Sequence, residues 1–254
     1  MTGPDRLDFD ELGEGIGNAW AVLRDNANRV GFDAAVPTCP GWTVRHLLAH
    51  QGMVHRWATA VIRGYDLDAA AVEREGMAVR DLLGWLDEGA KGLLQALVDA
   101  PDDLETAFFL RDAPPARVAW ARRQCHETTM HAVDARAAVL GRPPLASETW
   151  IGPRLAADGV DELLTGFLPR RSSRVRSADP LTVLVEADDT GDAWTLAVSE
   201  DPVVTTRGRA GVPDTVVAGS AVQLYLGLWN RGEELTCDTD FLARWRATMQ
   251  VGWS

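Results

Sequence analysis

Apolar residues recur at steps of three and four through most of the first 140 positions. Leu12, Ile16, Ala19, Leu23, Ala27 and Val30 fall on one side of a helix. Pro40-Gly41 then breaks the chain, and Thr43 is suited to cap a second helix over 44–62. On that helix Leu47, His50, Val54 and Trp57 share a stripe, so an imidazole interrupts an apolar face. Leu82, Leu86, Leu93 and Leu97 predict a third helix over 81–100, stopped by Pro101. Pro114-Pro115 opens a fourth, which ends at the run Gly141-Arg142-Pro143-Pro144. Four long helices with short breaks predict a bundle.

After position 150 the pattern changes. "IGPRLAADGVDELLTGFL" reads as one more helix, and "PRRSSRVRSADP" (169–180) as a polar, basic loop or linker. "LTVLVEA" and "AWTLAVS" flank Asp188-Asp189-Thr190-Gly191-Asp192, two β-rich runs around a turn, which predicts a hairpin. "PVVTTRG" is a candidate third strand, while "AGSAVQLYLGLWNRG" and "DTDFLARWRATM" read as helices. The expected fold class is therefore α+β with two domains, helical over 1–150 and mixed over 151–254. No internal repeat or low-complexity tract is present.

Composition narrows the function. The chain has 254 residues, 46% hydrophobic and 24% charged, a globular balance. Its net charge of −12 opposes binding to nucleic acid phosphates or anionic lipid. No 18-residue apolar run occurs, and the start "MTGPDRLDFDELGEG" has no apolar core of the kind a signal peptide needs, so a cytoplasmic protein is expected. Cys39, Cys125 and Cys237 are odd in number and far apart, which suggests neither a disulfide framework nor a zinc ribbon. Ten Trp against two Tyr is unusual; most should anchor the core, and some can line a pocket.

The candidate chemistry sits in "RRQCHETTMHAVDARAA" (122–138). At about 100° per residue, Glu127 and His131 lie about 40° apart, with Asp134 about 20° on Glu127's other side. These three share a stripe beside the apolar face of His126, Met130, Val133, Ala137 and Leu140. Thr129, Arg136 and Cys125 are expected to point the other way, toward solvent. His50 would meet the stripe from the second helix, giving two imidazoles and a carboxylate with coordination positions left open, the donor set of a catalytic divalent site, most often zinc. Asp134 would then support a ligand or carry a proton. Spacing alone leaves other readings open: a surface Glu–His pair, a satisfied core histidine at position 50, or His46 and His50 as the ligand pair. His55, about 140° from His50, cannot serve the same site. No Gly-x-Ser-x-Gly occurs, and no cysteine is expected on the site face.

"VPTCPGWTVRHLLAHQGMVHRWA" and "ARRQCHETTMHAVDARAA", with "LAADGVDELL", "PLTVLVEADDTGDAWTLAVSE" and "GSAVQLYLGLWNRG", resemble the mycothiol-dependent maleylpyruvate isomerase family. The resemblance covers most of the chain. It implies a DinB-like four-helix bundle followed by a small α+β, sterol-carrier-like domain. It implies a divalent metal held by His50, Glu127 and His131, and it places the family's following Asp at Asp134. It also implies an active-site arginine from the second domain, best matched by Arg231 in "LGLWNRG", with Arg207 and Arg209 as rivals. His46 and Val133 depart from the family's pattern.

The resemblance further implies mycothiol as cosubstrate and a small electrophilic substrate. In the family's chemistry a thiolate adds to a conjugated double bond, the resulting single bond rotates, and elimination gives the trans product. An S-transferase would use the same parts. A metal-dependent hydrolase and a non-catalytic metal-binding or stress-response module are the competing classes. A monomer or a dimer is compatible with the sequence. Arg231 would hold a substrate carboxylate by a bidentate pair, or would merely satisfy the last carbonyls of its helix.

Overall fold

The computed structural model describes residues 6–251; the first five residues of the acidic start lie outside them. Two compact units share the chain. One holds residues 8–108 and 113–144, the other residues 6–7, 109–112 and 145–251.

The first unit is helical. α1 spans Phe9–Val30, α2 Val44–Arg63, α3 Ala69–Ala78, α4 Leu82–Asp99 and α5 Ala116–Leu140. The starts are set by local hydrogen bonding. Asp8 accepts from the Glu11 N–H at 2.8 Å while Glu11 accepts from the Asp8 N–H at 2.9 Å, and Asp81 accepts from the Gly84 N–H at 2.9 Å. α5 stops at Gly141, whose φ of 70° is cheap only without a Cβ. α1 packs along α5, and α2 against α3, α4 and α5. Leu12, Ile16 and Leu23 of α1, with Leu47, Leu48, Leu82, Leu86, Leu93 and Trp120 from the other helices, are buried almost completely.

One helix was not anticipated, and one expectation fails here. α3 carries no clear apolar stripe in "AAAVEREGMA" and buries only Gly76, so periodicity could not announce it. The outer face expected on α5 does not exist. Cys125 and Thr129 are fully buried, and Arg136 is half-buried. Gly15 of α1 makes room for this: a Cβ there would stand 2.5 Å from the Cys125 sulfur. A helix wrapped by neighbours on every side shows weak periodicity because it has no solvent face.

The second unit begins with α6 (Pro153–Asp161), which continues as a π-helical stretch over Glu162–Phe167. Five strands follow: β1 Leu181–Ala187, β2 Ala193–Val198, β3 Val204–Arg207, β4 Thr215–Gly219 and β5 Thr236–Cys237. Their order is β3-β2-β1-β4-β5. The hairpin pairs Leu181 with Val198, and β4 joins β1 in parallel through Val185 and Val217. β4 and β5 were not expected, being short and abutting helices. α7 (Ala221–Leu228) and α8 (Phe241–Thr248) complete the unit. Buried Asp161 ties α6 to the sheet: it accepts from Trp194 Nε1 at 3.0 Å and takes both Nε and Nη2 of Arg207, at 2.6 and 2.7 Å. Among the described residues, no helix is long and apolar enough to cross a membrane.

Candidate metal centre

α2 and α5 lie side by side, and their facing stripes bring His50, Glu127 and His131 together. One donor atom from each lies within 4.8 Å of the others. His131 Nε2 is 3.3 Å from Glu127 Oε1, and His50 Nε2 is 3.9 Å from the same oxygen. The three residues are 5 to 8% exposed, enough for a narrow approach and too little for independent solvation.

The back of each ring is also engaged. His131 Nδ1 stands 3.0 Å from Asp134 Oδ2, and His50 Nδ1 stands 3.1 Å from Glu73 Oε1 on α3. A ring whose Nδ1–H is given to a carboxylate presents a lone pair at Nε2, which is how metal-binding histidines are usually oriented. Asp134 is fully buried and further clamped: Thr38 Oγ1 donates to Oδ1 at 2.6 Å and Cys39 Sγ to Oδ2 at 3.3 Å. Trp42 covers the pair, its ring centroid 5.1 Å from that of His50 and 6.2 Å from that of His131, stacked on the latter.

Electrostatics follow from this packing. Burial alone would raise the Glu127 carboxyl. Arg123, whose Nη2 donates to Oε2 at 2.7 Å, together with hydrogen bonds from His131 and His50, instead holds it well below the usual carboxylate range. Burial alone would lower the His131 imidazole; hydrogen bonds to Asp134 and Glu127 outweigh it, and the metal-free ring titrates at about 9.

The donor set fits a divalent ion. With bonds of about 2.0–2.1 Å, tetrahedral donors stand roughly 3.3–3.4 Å apart; the His131–Glu127 spacing of 3.3 Å matches this, and the His50–Glu127 spacing of 3.9 Å would have to close. Two nitrogens and one oxygen leave at least one position for an exogenous group.

The other sequence candidates go elsewhere. His46 is exposed and its Nδ1 stands 2.8 Å from Thr43 Oγ1 at the start of α2, so it forms no ligand pair with His50. His55 is fully buried; burial first, and Arg56 next, push its imidazole to about 3, and its Nε2 lies 3.0 Å from Thr128 Oγ1. Cys125 faces α1, but Cys39 borders the site, contrary to the expectation that no cysteine would. Arg207 is committed to Asp161 and Asp112, and Arg209 to Glu186. Arg231 follows α7, with its Nη1 donating to Trp229 O at 2.8 Å.

Sequence reasoning missed Glu73, Arg123, Thr38, Cys39 and Trp42. Arg123 had a signal, since an Arg four residues before a Glu on a helix lies within reach of it. Thr38, Cys39 and Trp42 lie in a loop before α2, where no periodicity links them to α5.

Comparison with known proteins gives a consistent picture. The description "Mycothiol maleylpyruvate isomerase N-terminal domain" matches residues 15–136, and "MDMPI C-terminal domain" matches residues 154–244. The crystal structure of the mycothiol-dependent maleylpyruvate isomerase superposes with a TM-score of 0.66 at 15% identity, covering 94% of this chain and 96% of that one. A histidine-to-alanine mutant of that isomerase gives 0.64 at 14% identity, with the same coverage. At such identity the likeness is one of fold. No curated protein matches the chain in sequence.

Proposed function

Because the chain belongs to the mycothiol-dependent maleylpyruvate isomerase family, we propose that it is a metal-dependent enzyme using mycothiol as cosubstrate on a small electrophilic acid. Cis-trans isomerisation of the maleylpyruvate type is the favoured reaction, and S-transfer the related one. The observation that carries the reading is the convergence of His50 Nε2, His131 Nε2 and Glu127 Oε1, with each ring's Nδ1 backed by a carboxylate. Zinc is the favoured metal, since two imidazoles and a carboxylate with an open position suit it.

Bound there, the metal would supply Lewis acidity at an open position, favouring the thiolate form of an incoming thiol. The residues' own work is distinct. Arg123 keeps Glu127 ionised and turned so that Oε2 is occupied and Oε1 faces the histidines. Asp134 holds His131, and Thr38 and Cys39 hold Asp134. Trp42 shields the two imidazoles and limits water around the reacting thiolate. The thiolate forms a C–S bond to the conjugated double bond, giving an enolate; rotation about the new single bond and departure of the same thiolate restore the double bond as trans. Nothing is consumed, and no nucleophile from the protein is needed. Arg231 would pair with the substrate carboxylate, and a cytoplasmic location would suit a chain that depends on a low-molecular-weight thiol.

Elemental analysis of the wild type beside His50→Ala and His131→Ala, followed by assay of mycothiol-dependent turnover of maleylpyruvate and other electrophiles, tests the reading. The wild type should carry about one ion per chain and the variants far less. Equal metal in all three would sink the site. Bound metal without any thiol-dependent turnover would favour a hydrolase or a non-catalytic module.

A further inference from the structure

Helix α3 is short, and of its ten residues only Gly76 is buried. Core burial therefore does not explain why it is held against α2. Its contacts are specific. A Cβ on Gly76 would stand 2.7 and 2.8 Å from ring atoms of Trp85 and 3.1 Å from the Ala49 Cα, so the α3 backbone rests on the α2 backbone beside His50. The Trp85 ring also lies against Gly52, and its Nε1 donates to Glu75 Oε1 at 3.1 Å. Trp85 thus fits where two glycines leave room and ties α3 to α2 and α4. One helical turn before Gly76, on the same face, comes Glu73. Its Oε1 is 3.1 Å from His50 Nδ1, while the side chain remains 40% exposed.

We propose that Glu73 is the positioning residue of the His50 arm of the metal centre, and that the Gly76 contact with α2 sets its reach. This rests on the metal reading above. By accepting the Nδ1–H, Glu73 selects the tautomer with a free lone pair on Nε2 and fixes the ring plane, as Asp134 does for His131. The two arms differ in build. The Asp134 arm is sealed inside the unit, whereas the Glu73 arm hangs on a short, mostly exposed helix docked through Gly76, Trp85 and an Arg45 contact with the Met77 carbonyl. Loosening α3 therefore changes metal affinity without touching a metal ligand.

The test is competition titration of the metal-free full chain with Zn²⁺ against a chromophoric chelator, for the wild type, Glu73→Ala, Glu73→Gln, Gly76→Ala and the Glu73→Ala/Gly76→Ala double variant. Glu73→Ala should weaken Zn²⁺ binding about 10- to 100-fold, the range for losing such a partner. Glu73→Gln keeps an acceptor oxygen and should recover most of that loss. Gly76→Ala should weaken binding in the same direction, and the double variant should be little worse than Glu73→Ala alone, because both changes break one contact. Glu73 is partly exposed, so its variants should melt within a few degrees of the wild type without metal. Stoichiometric wild-type binding with unchanged affinity in Glu73→Ala would overturn the proposal and leave the metal centre standing. Equal losses in Glu73→Ala and Glu73→Gln would also overturn it, since charge rather than orientation would then matter. Full affinity in Gly76→Ala would overturn the packing half. Failure of the wild type to bind Zn²⁺ would instead sink the metal reading beneath it.

Discussion

Replacing Asp134 by Asn should weaken metal binding far more at pH 9 than at pH 7. In the wild type the metal-free His131 ring holds its proton up to about 9, through Asp134 and Glu127. A metal ion must displace that proton, so binding at pH 7 is weakened by roughly two decades against binding above pH 9. Asp134→Asn removes one of the two carboxylates that raise the ring, and its titration moves down, with Glu127 still raising it. The proton penalty at pH 7 then shrinks. The same substitution loses a carboxylate that orients the ring and raises its basicity, costing about 10- to 100-fold in intrinsic affinity.

At pH 7 these effects oppose each other, and the variant's loss of Zn²⁺ affinity should be clearly smaller than its loss at pH 9. At pH 9 only the intrinsic loss survives, and the variant should be weaker by roughly one to two decades. The assay is a Zn²⁺ competition titration at half-unit steps from pH 6.5 to 9, with proton release followed by an indicator in weak buffer. The contribution of His131 to that release at pH 7 should be smaller in the variant. Parallel affinity profiles, or the same proton release from both proteins, would refute the coupling between Asp134 and His131 on which the argument depends.

Other expectations follow from the same geometry. Because the folded His131 value of about 9 lies above its ordinary 6.5, the metal-free protein holds this stabilisation in full below about 6.5 and loses it as pH rises through 9. The loss is on the order of 3 kcal/mol, a fall of several degrees in thermal midpoint, checked by calorimetry at pH 6.5 and 9.5 with and without His131→Ala. Arg231→Ala should retain full metal and lower kcat/KM by about ten- to a hundredfold, with Arg231→Lys recovering part; unchanged kinetics would leave Arg231 a structural role, which includes its contact with the Trp229 carbonyl. Serine at positions 39, 125 and 237 together should leave turnover within a few-fold, since Cys39→Ser still offers an O–H to Asp134; total loss with fold and metal intact would place the nucleophile in the protein.

What was legible in the sequence depended on repetition within one element. Glu127, His131 and Asp134 lie on one helix, so their common direction follows from helical rotation alone, and His50 stood out because it broke an apolar stripe. The same logic misread the far side of α5. Rotation gives which residues oppose each other but not whether a neighbour covers them, and Gly15 brings α1 close enough to bury Cys125 there. β4 and β5 escaped because five and two residues give too little alternation to count.

Glu73 illustrates a deeper limit. A residue that meets the site across a packing contact leaves no periodic mark, because its placement is decided by other residues, here Gly76, Gly52 and Trp85. Yet each of those carries a physical signal once the contact is known: two glycines where helices touch, and a large ring filling the space that they leave. The donors can therefore be read from helical spacing, whereas what holds the donors must be read from close approaches between elements. The divide has an energetic consequence. On the proposed metal reading, substituting a donor would remove a bond to the metal, while substituting a holder would leave every bond possible and change how often the rings face the right way. Donor variants should accordingly lose metal outright, and holder variants should bind it with reduced affinity and unchanged stoichiometry. If Glu73→Ala or Asp134→Asn lost stoichiometry as His131→Ala does, with the fold intact, the distinction between the two kinds of residue would not survive.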